Sequence, residues 1–131
     1  MAIFISHRLV DTGKAEKLAV DLESHGYAVK LDTREVLAGD SITEWMNDAL
    51  RDVDALILCL STAGVDSPWT KREWLPTLAR ILNGANILFL PVRLTGGTPP
   101  PIVADLKYAD AVADWQQAID DLVAALKRHF K

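Results

Sequence analysis

The sequence predicts an α/β protein built on one doubly wound, five-stranded parallel sheet with helices on both faces. Three observations lead there. Short apolar runs alternate with segments of helical periodicity along the whole chain. The central run, "ALILCL" at 55–60, is apolar at every position and so on both faces of a strand. At 131 residues, 50% of them hydrophobic, the chain is one domain in length (1–131) and can bury a sizeable core. Strands apolar on both faces occur in sheets covered by helices on both sides.

The elements follow in order. "AIFI" (2–5) is the first strand. Ala15, Leu18, Ala19 and Leu22 then recur at helical spacing, and Gly26 marks a stop. "YAVKL" (27–31) is the second strand. Ser41-Ile-Thr-Glu44 is a capping box, opening a helix with Ile42, Trp45, Met46, Ala49, Leu50 and Val53 on its apolar side. After the third strand (55–60), a helix is expected from about Pro68 to near Gly84. Leu75, Leu78 and Leu82 form its stripe, and Pro76 bends it. "NILFLPV" (86–92) is the fourth strand and "TGGTPPP" (95–101) a loop. A weak strand near 107–112 precedes a last helix carrying Trp115, Ala118, Ile119, Leu122 and Leu126. Trp45 and Trp115 both lie on apolar stripes, which places them in the core. The arrangement is flavodoxin-like, with expected strand order 2-1-3-4-5.

Composition excludes several functions. A net charge of −4 argues against direct nucleic-acid binding. The single cysteine, Cys59, rules out an internal disulfide and suits a reducing compartment. The apolar runs are too short to span a bilayer, and no signal-peptide pattern opens the chain, so a cytoplasmic location is expected. There is no G-x-G-x-x-G after the first strand, no phosphate-binding P-loop and no G-x-S-x-G elbow. His7, His25, His129 and Cys59 lack zinc-ligand spacing, so no metal is expected. Ser6-His7 and Ser61-Thr62 stand where a phosphoacceptor receiver would carry acids.

In such sheets ligands bind beyond the carboxyl ends of the strands, near the point where strand order reverses. The loops to inspect are therefore "SHRLVD", "DTREVLAGDS" and "STAGVDSPW". Taken together with "FLPVRL" they resemble one family. "IFISHRLVD" is similar to the opening box of Toll/interleukin-1 receptor (TIR) domains, and "LDTREVLAGDSI" to their second box. "LILCLSTAGVDSPWTKREW" is similar to the third-strand segment ending in Ser-x-Trp-x-x-x-Glu. The resemblance runs from Ile3 to the last helix, and the wording looks more like prokaryotic members than animal receptors.

The resemblance implies one of two modes of action. Some TIR domains only assemble; others cleave NAD at the nicotinamide–ribose bond, with NAD as substrate and not as resident cofactor. In the second branch the essential carboxylate is the motif glutamate, here Glu73 of Ser67-x-Trp69-x-x-x-Glu73. On its own terms Glu73 is also a glutamate that a helix dipole favours in an early turn. Trp69, four residues before it, shares its face and could wall the nicotinamide or ribose. Arg8, beside His7, could grip the pyrophosphate, or pair at the surface with Asp11 or Asp32. Asp32 could meet the ribose or simply turn the chain. Gly39 is expected to supply a backbone conformation that other residues resist. Val36 and Leu37, an apolar tip on a polar loop, fit the family's head-to-tail self-association. A sensor domain or partner protein would supply the trigger. A nucleoside deoxyribosyltransferase-like enzyme, with a similar sheet and one catalytic carboxylate, is a further alternative.

Overall fold

The computed structural model describes residues 2–31, 38–62, 75–96 and 107–130. Central to it is a strand that must be covered on both sides. β3 (Ala55–Leu60) is buried at every position. It pairs in parallel with β1 (Ala2–Ser6) on one side and β4 (Leu88–Arg93) on the other. β2 (Ala28–Leu31) and β5 (Ala109–Asp110) form the edges, giving the order β2-β1-β3-β4-β5 expected from sequence. The helices are α1 (Thr12–Glu23), α2 (Ile42–Ala49), α3 (Leu75–Ala85) and α4 (Trp115–His129).

Side chains alternate across the sheet and divide the core into two layers. Ile3, Ile5, Ala55, Ile57 and Cys59 pack against α1 and α4. Phe4, Leu56, Leu58 and Leu60 pack against Met46 and Ala49 of α2 and Leu78 and Leu82 of α3. The stripe Ala15, Leu18, Ala19 and Leu22 read from sequence is the buried face of α1. Edge strand β2 is covered on one side: Val29 and Leu31 pack on the α1 layer, whereas Ala28 and Lys30 are exposed. An exposed lysine on an edge strand discourages pairing with another chain.

Helix ends follow cap chemistry. Ser41 Oγ accepts from the Glu44 backbone N–H at 3.3 Å, the bond the capping box predicts. Gly26, with φ 93°, closes the turn after α1. α3 ends at Ala85, near Gly84 as expected. Gly84 lies inside the helix, and Asn86 (φ 54°) is the left-handed residue beyond it. Asparagine tolerates that conformation and can end a helix as glycine does. The start of α3 before Leu75, expected at Pro68, lies outside the described residues, as does the loop 97–101. β4 begins two residues later than "NILFLPV" suggested, and β5 contracts to two residues. Asp110 explains the contraction: its carboxylate accepts from Val112 N and Ala113 N and turns the chain.

Trp115 departs from its expected core position. It is only half buried and acts as a clasp between α1 and α4. Its Nε1–H donates to Asp21 Oδ2 at 2.6 Å, and the Lys17 ammonium sits 4.3 Å from the ring centroid. Trp45 is also half buried, packed against the α2–α3 layer. Trp115→Phe keeps the ring and removes the hydrogen bond to a charged acceptor. It should lower unfolding free energy by about 1–2 kcal/mol in urea titration. In an Asp21→Ala background the same change should cost much less, since the bond is already gone.

Candidate active site

The crevice beyond the strand carboxyl ends has a polar floor in an otherwise apolar interior. Ser6 and Ser61 are the buried polar residues among those described, 4% and 1% exposed. Ser6 ends β1 and Ser61 follows β3, and these two strands are hydrogen-bonded neighbours. Each serine terminates an apolar run, "AIFIS" and "ALILCLS". A third strand joins them. Thr95, just past β4, donates from Oγ1 to Ser61 Oγ at 3.3 Å and accepts from the Thr62 backbone N–H at 3.1 Å. Gly96 follows with φ 137°, and a Cβ there would lie 2.6 Å from Thr62 Cγ2. Backbone and side chain are thus in close contact where β3 and β4 open into their loops.

His7 and Arg8 leave β1 directly into this crevice, and both are half buried. The short 3-10 turn Leu9–Asp11 follows, closed by Asp11 N–H donating to the Arg8 carbonyl at 2.9 Å. His7 Nε2 lies 3.2 Å from Thr12 Oγ1 at the start of α1, which fixes the ring plane. His7 Nδ1 and Asp11 Oδ2 are both buried without a hydrogen-bond partner. Asp11 occupies the N-cap position of α1 but makes no side-chain cap bond. No described residue forms an ion pair with Arg8, so the pairing with Asp11 is not made. Gly39 takes φ 92° ahead of α2, the conformation expected of it, and is exposed. Asp32, Val36, Leu37, Trp69 and Glu73 lie outside the described residues. Sequence reasoning passed over Thr95, Thr12 and the capping position of Asp11. The available signal was their place, one or two residues past a strand or opening a helix.

Cys59 sits just below this floor and is no nucleophile. Burial, and secondarily the Asp11 charge, push its thiol up to about 12. Thiolate, the reactive form, is therefore scarce at neutral pH. Among the described residues no group of three or more His, Cys, Asp or Glu side chains could hold a metal ion. No helix there is long and apolar enough to cross a membrane.

The thiol shift has a consequence for stability. The folded pKa lies well above the ordinary thiol value of 9.0, so the folded state keeps its proton after the unfolded chain has lost it. The stabilisation is fully present below about 9 and is lost as pH rises toward 12. Unfolding free energy should therefore fall above pH 9 by up to about 1.4 kcal/mol per pH unit from this group. Cys59→Ala should flatten that alkaline slope relative to wild type, measured by urea titration between pH 8 and about pH 10.5.

Comparison with known proteins agrees with this architecture. The TIR domain family matches residues 3–123. The chain is 27% identical over 122 residues to the stimulator of interferon genes protein of Magallana gigas, covering 90% of this chain and 29% of that protein. It is 29% identical over 91 residues to the NAD(+) hydrolase TirS of Staphylococcus aureus, covering 69% of this chain and 32% of TirS. The chain thus spans about a third of the length of these relatives. The structure of a metazoan TIR-STING receptor from C. gigas in complex with 2',3'-cGAMP superposes with a TM-score of 0.66 at 28% identity. That match covers 94% of this chain and 38% of the receptor. The TIR domain of the Toll-related receptor TRR-2 from Hydra magnipapillata matches with a TM-score of 0.63 over 98% of both chains. At 16% identity it supports the fold alone. With the family match running from β1 into α4, over the strand order 2-1-3-4-5, the chain belongs to the TIR domain family.

Proposed function

We infer that this TIR domain cleaves NAD at the nicotinamide–ribose bond, with Glu73 as the essential carboxylate. The observation that carries this reading is the segment Ser67-Pro68-Trp69 to Glu73. In sequence it lies between Thr62, just past β3, and Leu75, the first described residue of α3. The partial identity with a bacterial NAD(+) hydrolase supports it.

The chemistry is coherent with one carboxylate. The nicotinamide of NAD is a cation, and it takes the electron pair of the breaking C–N bond and leaves neutral. It needs no general acid, unlike an ordinary sugar leaving group. Positive charge builds on the ribose, and a facing carboxylate stabilises it. Water, or an internal nucleophile of the ADP-ribose, then closes the reaction. Arg8 and His7 stand at the mouth of β1, where a pyrophosphate would need donors.

Glu73→Gln keeps the shape and removes the charge. It should slow NAD cleavage by roughly a hundredfold or more. Folding stability should shift by no more than about 0.5 kcal/mol if Glu73 is at the surface. Chromatography of NAD incubated with concentrated protein reads the first effect and urea titration the second. A Gln variant as active as wild type removes Glu73 from the mechanism.

Activity is further expected to depend on head-to-tail assembly through the 33–41 loop, whose apolar tip is Val36-Leu37. A neighbouring molecule would exclude water from the crevice and position the substrate. Contacts of this kind propagate as open filaments rather than closed dimers. Specific activity should rise with protein concentration, and Leu37→Asp should suppress both light scattering and turnover. Constant specific activity across a wide dilution series of monomer would rule this dependence out. In this reading a sensor domain or partner protein supplies the trigger for assembly.

A further inference from the structure

Along the outer side of β4 the described ladder is short. β5 pairs only with Val92 and Arg93, so the earlier half of β4 has no described strand beside it. Leu90 and Pro91 there, with Ala109 and Leu122, form the floor of a groove of about 330 Å³. Ala124 and Ala125 of α4 form its wall, and their small side chains leave the space that longer ones would fill. A volume of this size is at the lower end of what small-molecule sites enclose, about 300–1,000 Å³.

The open edge is closed to another strand by its own backbone. Leu88 N and Leu94 N donate to Asp54 and Leu60 carbonyls on the β3 side. The Arg93 carbonyl faces the other way and accepts from Ala111 N. Backbone groups alternate along a strand, so the nitrogen of Pro91 points to the open edge. Proline has no N–H to offer there, and an added strand would lose that bond. A small molecule suffers no such loss.

On the rim Lys107 and Arg128 outnumber the Asp121 carboxylate. Lys107 and Arg128 line the mouth, and neither forms an ion pair among the described residues. The Asp121 carboxylate also lines it, but its Oδ1 accepts from Gln117 Nε2 at 2.9 Å. The carbonyl end of α4 opposes an anion, and Lys127, beside Arg128 in its last turn, offsets part of that field. Tyr108, 38% exposed, adds an apolar ring with a hydroxyl tip at the entrance.

We propose that this groove is a second ligand site, separate from the crevice, for an aliphatic anion whose carboxylate meets Lys107 and Arg128. Its apolar chain lies over Leu90, Ala109 and Leu122. The site does not depend on NAD cleavage, and its test does not use that activity.

Octanoate is the probe, followed by amide shifts in nitrogen-15 spectra of the intact chain. Saturable shifts confined to residues 107–109 and 121–128 are expected, while octylamine, of the same length and opposite charge, produces none. Lys107→Glu with Arg128→Glu, both exposed, should weaken octanoate about tenfold or more. Ala124→Trp, also at an exposed position, should block the groove with the remaining spectrum unchanged. Absence of saturation in the millimolar range, equal binding of octylamine, or indifference to both variants would overturn the proposal. So would the same amides shifting with protein concentration alone, which would assign the groove to a second copy.

Discussion

The burial of β3 on both faces is the constraint from which the rest of the structure follows. A strand with no solvent on either side must have every backbone group paired and both rows of side chains covered. Parallel neighbours satisfy the first need, and parallel neighbours can be joined only by long crossovers. Those crossovers are the helices that satisfy the second. Once β1 and β4 flank β3, the chain has to leave β1 and β3 at the same edge of the sheet and diverge from there. The divergence opens a crevice without any residue being chosen for the purpose.

What the sequence then decides is what lines that crevice. Ser6 and Ser61 continue apolar runs by one residue, and that single polar step converts the strand ends into a floor. Their burial is tolerable because hydroxyls find partners locally, as Thr95 does for Ser61. His7 Nδ1 and Asp11 Oδ2 are buried here without a hydrogen-bond partner among the described residues. A buried acceptor or donor left unmade costs about 1–3 kcal/mol. Such atoms mark where a structure is under tension, and here they lie together in the turn that opens α1.

Periodicity made the layers legible in advance, because burial is a property of a whole face and errors at single positions average out. The α1 stripe, the doubly apolar β3 and the strand order needed no tertiary information. Cap chemistry was legible where a side chain acts on its own neighbours, as Ser41 and Glu44 do. It placed the end of α3 near Gly84, within one residue of Ala85, although the left-handed residue that follows is Asn86. Trp115 was misplaced for a different reason. Its partners Lys17 and Asp21 are nearly a hundred residues away, and only packing of α4 on α1 brings them together. The family was legible through the order of its motifs, not through geometry. Thr95 was missed because a threonine after a strand carries no signal until its neighbour across the sheet is known.

The two ends of the sheet also differ in kind, and β5 is the reason. Its two residues suffice to continue the ladder at the carboxyl end, where Arg93 and Asp110 pair at 3.2 Å and the Asp110 turn begins α4. Among the described residues they pair with Val92 and Arg93 alone. A longer strand would have closed that edge and, with a side chain every second residue against α4, filled the space over Leu90. Instead the Asp110 carboxylate is drawn in three directions, to Arg93, Val112 N and Ala113 N, which lowers its pKa with the Ala113 bond as the largest cause. The same interactions that terminate the strand early fix where α4 starts, and so fix Ala124 and Ala125 opposite the uncovered edge. The polar crevice and the apolar groove are thus two outcomes of one topology. One arises where strands end together and the other where a strand falls short.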